Sequence, residues 1–174
     1  MAVVGLFYGS DTGNTEKVAE RIQAELGADL VDLHDIAKAK KEDLEKYDFL
    51  ILGTPTWYTG ELQSDWDAFM PEFRKIDLKD KIVALFGLGD QEDYSDYFLD
   101  GMGTLKEVVL SMGGVLVGNW STEGYTFGSE KALIDPEHFA GLAIDEDRQF
   151  EQTDERIKKW CAQITEEMSL NLFK

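Results

Sequence analysis

A single cysteine, Cys161, excludes an internal disulfide, so the fold must rest on packing and a reducing compartment is expected. No apolar stretch approaches the roughly 20 residues a membrane helix needs. The apolar start, residues 2–8, lacks a basic leader region and a cleavage site, and reads as a strand rather than a signal peptide. The cytoplasm is therefore the expected location. Positive charge is scarce: 17 Lys and Arg stand against 35 Asp and Glu, a net charge of −18. Such a chain repels phosphate backbones and anionic bilayers, which excludes nucleic acid and membrane surfaces as partners. Either solubility alone or steering towards a basic protein partner accounts for the excess. The only histidines, His34 and His138, have no ligand spacing and read as surface or loop residues. Asp145-Glu146-Asp147 lacks the Gly and Glu a calcium loop would place after it. No G-x-S-x-G occurs, and the lone cysteine has no placed base.

What is present is a hydrophobic share of 43 % over 174 residues, enough for one well-packed domain. Apolar, β-branched runs predict strands at Val3–Tyr8, Asp29–Leu33, Phe49–Gly53, Ile82–Gly87 and Val115–Gly118, with Phe139–Ile144 as a later piece. Helical stripes alternate with them: Val18, Ile22 and Leu26; Trp66, Phe69, Met70 and Phe73; Leu105, Val108, Val109 and Met112; Ile157, Trp160, Cys161 and Ile164, extended by Met168. A short, weakly patterned helix is expected near Lys40–Lys46. Alternating βα units with such strands predict a parallel sheet covered on both faces. Cys161 lies inside a stripe and reads as a small buried hydrophobe. Residues 119–138 show no clear periodicity and are expected to be an insertion interrupting the fifth strand.

In an open parallel sheet, ligands bind beyond the carboxyl ends of the strands where strand order reverses. The loops that matter are then Ser10–Thr15, Thr54–Gly60 and Gly87–Tyr94. The first, Ser10-Asp11-Thr12-Gly13-Asn14-Thr15, runs into a helix whose unpaired N–H groups and dipole make an anion site without a cation. Ser10, Thr12 and Thr15 add hydroxyls, Asn14 an amide, and Gly13 allows close backbone approach, while Asp11 is expected to turn to solvent. Taken alone, the loop also suits an ordinary N-capped turn. Neither Gly-Lys-Ser/Thr nor G-x-G-x-x-G is present, which disfavours ATP and NAD. The other loops each carry an aromatic residue, Trp57 and Tyr94, on a polar, glycine-rich segment where core packing does not call for one. Two rings facing one crevice would hold a planar ligand by stacking, and a planar ring tethered to a phosphate describes a flavin mononucleotide.

From residue 2 to about residue 170 the sequence resembles a flavodoxin of the long-chain subgroup. The motifs are Ser10-x-Thr12-Gly13-x-Thr15, Pro55-Thr56-Trp57, Gly87-x-Gly89-Asp90-Gln91 followed by Tyr94, and Gly141-Leu142-Ala143-x-Asp145-Glu146-Asp147, with Trp120-Ser121-Thr122 and Gly124-Tyr125 opening the insertion. Flavodoxins are themselves the standard illustration of this fold with FMN at the switch point, so that placement comes from the family and not from the residues. The resemblance implies one flavodoxin-like α/β domain, a doubly wound five-stranded parallel sheet in order 2-1-3-4-5 with helices on both faces. It implies that Ser10 to Thr15 bind the FMN phosphate and that Trp57 and Tyr94 sandwich the isoalloxazine. Backbone at Tyr58, Thr59 and Gly60 and at Gly89, Asp90 and Gln91 would meet the pyrimidine edge and N5, with Asp90 serving through its backbone more than its carboxylate. Asp147 and Thr56 would contact the ribityl chain.

The implied activity is one-electron transfer between flavin semiquinone and hydroquinone, by a monomer with no substrate of its own. Its partners would be basic-surfaced redox proteins, such as a flavodoxin–NADP reductase, and low-potential acceptor enzymes. Acidic residues near the loops (Glu61, Asp65, Asp67, Asp90, Glu92, Asp93, Asp96 and Asp100) are expected to disfavour the anionic hydroquinone and lower its potential. Thr59, at a turn whose flip favours glycine, is expected to resist the peptide rearrangement that the family uses on reduction. A quinone reductase of the same fold would need an open flavin face, which two covering aromatics deny. A phospho-receiver would need acidic residues where Phe7-Tyr8-Gly9 and Leu52-Gly53-Thr54 stand. A flavin-binding regulatory module is the remaining alternative.

Overall fold

The computed structural model describes residues 3–57 and 59–169. Its elements run β1 (Val4–Tyr8), α1 (Asn14–Leu26), β2 (Val31–Asp35), α2 (Lys41–Glu45), β3 (Phe49–Trp57), β4 (Glu61–Leu62), α3 (Ser64–Phe73), β5 (Ile82–Leu88) and α4 (Asp100–Ser111). They continue with β6 (Val115–Val117), β7 (Trp120–Ser121), β8 (Leu133–Asp135), β9 (His138–Phe139), β10 (Leu142–Ile144) and α5 (Thr153–Glu167). The main sheet reads β2-β1-β3-β5-β10 with every pair on that path parallel. Counting parallel strands alone, this is the order 2-1-3-4-5, with strand order reversing between β1 and β3.

All five residues of β1 are buried because it lies between β2 and β3, with helices on both faces. Successive side chains of a strand point to opposite faces, and β3 divides accordingly. Ile51 packs with Val18 and Ile22 of α1 and with Trp160, Cys161 and Ile164 of α5. Leu50 and Leu52 pack with Trp66 and Phe73 of α3, Leu105 and Val109 of α4, and Leu44 of α2. Cys161 is 2 % exposed, and burial pushes its thiol up to about 12. No helix among the described residues is long and apolar enough to cross a membrane.

The last position in the sheet is filled by two pieces. β6 pairs with the start of β5, Ile82↔Val115 to Ala84↔Val117, and β10 pairs with its end, Leu142↔Phe86 to Ile144↔Leu88. Between them the chain leaves the sheet and builds a small antiparallel one, β7-β9-β8. Three strands and the histidines differ from the sequence reading. Of the expected piece Phe139–Ile144, only Leu142–Ile144 joins the main sheet, and Phe139 lies in β9. β3 runs four residues past Gly53, to Trp57, so Thr54–Trp57 are strand and not loop. The second strand lies two residues later than expected, at Val31–Asp35. Both histidines sit in strands. His34 stacks on its register partner Phe7, ring centroids 4.5 Å apart, with Nε2 2.9 Å from the Tyr47 hydroxyl. His138, in β9, meets the Asp135 carboxylate at 2.9 Å.

Candidate functional site

The chain leaves β1 at Gly9 and turns into α1 through Gly13, whose φ of 91° is left-handed. Ser10 Oγ accepts the Gly13 N–H at 3.0 Å and closes the turn. No side chain caps α1, so its first N–H groups, which have no partner within a helix, are left to serve whatever lies beyond. Thr12, Asn14 and the buried Thr15 line the cleft there, and among the described residues no Lys or Arg does. The carboxylate of Asp11 is turned aside, accepting Gln63 Nε2 at 3.1 Å and facing a separate depression beside Glu61, Leu62 and Ser64.

The middle wall is the end of β3: Pro55, Thr56 and Trp57. Thr56 Oγ1 accepts the N–H of Gly101 in α4 at 2.9 Å, which fixes the wall to that helix. Trp57 begins the hairpin to β4, pairing with Glu61. Thr59 and Gly60 form its turn and lie off the cleft; Tyr58 falls outside the described residues. Gly60 has φ 88°, and a Cβ there would come within 2.7 Å of Asp100 Oδ2.

The opposite wall follows β5. Leu88, Gly89, Asp90 and Tyr94 line it, with Tyr97 and the buried Phe98 behind. Tyr94 is 51 % exposed, an aromatic held by its loop and not by a core. Asp90 Oδ1 accepts the N–H groups of Glu92 and Asp93, each at 3.0 Å. Arg148 grips the same carboxylate through Nε and Nη2 at 3.0 and 3.2 Å, and reaches Glu92 and Asp93 at 3.2 and 2.8 Å. Burial alone would raise the Asp90 carboxyl, but Arg148 and the two N–H groups outweigh it and hold it below its usual range. Gln91 turns away from the cleft to Asp145 and Thr126.

Glu146 and Asp147, just past β10, complete the lining. Burial, then the charges of Asp90 and Asp145, push the Asp147 carboxyl above its ordinary value. The cavity volume of the cleft is about 190 Å³, and it opens to solvent at its mouth. Of the residues singled out from sequence, Thr12, Asn14, Thr15, Thr56, Trp57, Gly89, Asp90, Tyr94 and Asp147 meet around it, while Ser10, Asp11, Gly13, Thr59, Gly60 and Gln91 do not line it. Pro55, Leu88, Tyr97, Phe98 and Glu146 line it and were missed. The reasoning that found Tyr94, an aromatic on a polar loop, applies equally to Tyr97; nothing comparable marks Leu88. Among the described residues no cluster of His, Cys, Asp and Glu is arranged to hold a metal.

A cleft with open helix donors at one end and two aromatic rings at the other suits a planar ligand with an anionic tail. Comparison with known proteins gives a consistent answer. The family model described as Flavodoxin matches residues 6–160. A flavodoxin of Haemophilus influenzae is 59 % identical over 170 residues, 98 % of each chain. Flavodoxin 1 of Escherichia coli K12 is 57 % identical over 171 residues, covering 98 % of this chain and 97 % of its own. A crystal structure of Fusobacterium nucleatum flavodoxin bound to flavin mononucleotide superposes with a TM-score of 0.89 at 34 % identity, over 96 % of this chain and 99 % of that one.

Proposed function

The chain belongs to the flavodoxin family, and from that premise we propose that it binds FMN between Trp57 and Tyr94 and carries single electrons at low potential. As a flavodoxin it is an electron-transfer protein rather than an enzyme. The residues fit the cofactor. The uncapped start of α1, with Thr12, Asn14 and Thr15 around it and no cation beside it, supplies neutral donors for a phosphate. Thr56, Glu146, Asp147, Trp57, Tyr94, Leu88 and Phe98 line the same cleft; on this reading the first three take the polyol chain, the two aromatic rings take the faces of the flavin, and the last two back it. Bound there, FMN supplies the one-electron chemistry.

The single observation that carries this reading is the combination of that uncapped, cation-free helix start with two aromatic walls in one cleft. On it, the described chain is one FMN-binding domain, with residues 119–138 inserted into the fifth strand. The carrier works in the cytoplasm, as a monomer, between the one- and two-electron reduced forms of the flavin. Arg148 closes the Tyr94 side of the cleft by pairing with Asp90, Glu92 and Asp93. Unpaired acids around the mouth then favour basic-surfaced partners: a reductase as donor, of the flavodoxin–NADP reductase kind, and low-potential enzymes as acceptors.

The test is a titration of the cofactor-free protein with FMN, followed by stepwise anaerobic reduction. Quenching of flavin fluorescence at one equivalent and two resolved one-electron steps are expected. No binding, or NADPH–quinone turnover by the protein alone, would overturn the reading.

A further inference from the structure

Gln91 belongs to the loop that carries Tyr94, yet it does not line the cleft. It is 7 % exposed and every polar group of its side chain is engaged. Its backbone N–H and Nε2 both donate to Asp145 Oδ2, at 3.1 and 2.7 Å, while Oε1 accepts the Thr126 N–H at 2.8 Å. Asp145 is fully buried and also accepts the N–H groups of Asp147 and Arg148, at 3.2 and 2.9 Å. One amide therefore ties together three segments: the Tyr94 loop, the loop carrying Glu146 and Asp147, and the stretch between β7 and β8. That stretch grips the Tyr94 loop again, through Gly128 and Ser129 N–H groups on the Ser95 carbonyl at 3.0 and 3.3 Å.

Tyr94 itself is half exposed, so the aim of its ring depends heavily on how its loop is held. We infer that Gln91 is a positioning residue, one that holds the Tyr94 loop over the cleft before cofactor arrives. The inference rests on the FMN reading above. A buried polar group in a satisfied network rigidifies what it joins, and a group removed from it leaves partners unpaired. Asp145 is the partner that suffers here, losing a donor in a place water does not reach.

Gln91→Met keeps the volume and removes both side-chain bonds; Gln91→Glu keeps an acceptor for Thr126 but sets a carboxylate against Asp145. Three quantities are measured on both variants and the parent, with far-UV circular dichroism to verify folding. They are amide exchange at residues 92–97 in the cofactor-free protein, the FMN dissociation constant, and the second one-electron potential. Expected are exchange faster by about tenfold at 92–97 with α1 and α5 unchanged, an FMN dissociation constant raised by about tenfold, and a shifted potential. If Gln91→Met does not fold, Gln91→Glu carries the same measurements. Exchange equal to the parent's would overturn the tether, and faster exchange with unchanged affinity and potential would overturn the positioning role. A parent that takes up no FMN would sink the cofactor reading instead, while the exchange data still judge the tether.

Discussion

Alanine at Gly60 tests how the hairpin carrying Trp57 is held. Gly60 has φ 88°, and an added Cβ would meet Asp100 Oδ2, Cβ and Cγ at 2.7, 3.1 and 3.3 Å. Asp100 has little room to yield, being 9 % exposed and bonded through Oδ1 to the Ser129 hydroxyl. Gly113, just past α4, is the control: its φ is 84°, yet a Cβ there meets nothing closer than Lys79 Cα at 3.7 Å. Gly113→Ala therefore carries only the cost of a positive-φ alanine, ~1–2 kcal/mol. Gly60→Ala adds crowding, of order 1–3 kcal/mol, for a total of ~2–5 kcal/mol. Relief of that crowding displaces the hairpin and with it Trp57, so FMN affinity should fall by about tenfold or more for Gly60→Ala and stay unchanged for Gly113→Ala. Urea unfolding of the cofactor-free variants measures the first quantity, with the slope checked for constancy, and flavin fluorescence measures the second. Equal losses of stability in the two variants, or parental affinity in Gly60→Ala, would refute the reasoning.

Asp147→Asn tests the electrostatics of the cleft in the cofactor-free protein. Because the folded chain raises this carboxyl, the parent loses stability as pH rises through the folded value and is unpenalised below the ordinary carboxylate value of about 3.9. Cofactor-free Asp147→Asn should be slightly more stable than the parent at pH 7, by a few tenths of a kcal/mol given its exposure, and equal to it near pH 3.5; a pH-independent difference in urea midpoints would contradict this. Neutralising Glu61, Asp67 and Asp96, acids that Arg148 does not pair, should raise the second one-electron potential by up to about 100 mV at low ionic strength and by less in salt. Potentiometry finding no shift at low salt would defeat the acidic-rim idea. Thr59→Gly should raise the first potential, since a β-branched residue resists a positive φ by ~1–3 kcal/mol; an equal or lower first potential would count against it.

The layers of the fold were legible because each helix shows its core face at 3.6-residue spacing, as Trp160, Cys161 and Ile164 do in α5. The end of β3 was not, and Pro55 is the reason. A proline reads as a strand breaker, yet β1 stops opposite Gly53 and β4 pairs only with Thr56 and Trp57, so at Thr54 and Pro55 β3 has a free edge. There a missing N–H costs no ladder bond, while the other edge continues on β5 as far as Pro55↔Leu88. The strand thus persists long enough to carry Trp57 to the cleft. β2 was misplaced for a related cause: it is an edge strand, where His34 and Asp35 are tolerated and alternation fades.

The segment between β6 and β10 was opaque for a different reason. Its strands are two or three residues long, too short to show a period, and they exist only because they pair with one another. The same holds for Gln91: a glutamine on a polar loop looks like any other until the chain brings Asp145 and Thr126, 54 and 35 residues away, to its two ends. Residues that would touch a ligand carry a chemical signature of their own, hydroxyl, amide or ring. Residues that aim them acquire a role only from partners distant in sequence. The parts of this site still open to discovery are accordingly roles a motif cannot state, and Gln91, whose motif names the residue but not its bonds to Asp145 and Thr126, is where such a search should begin.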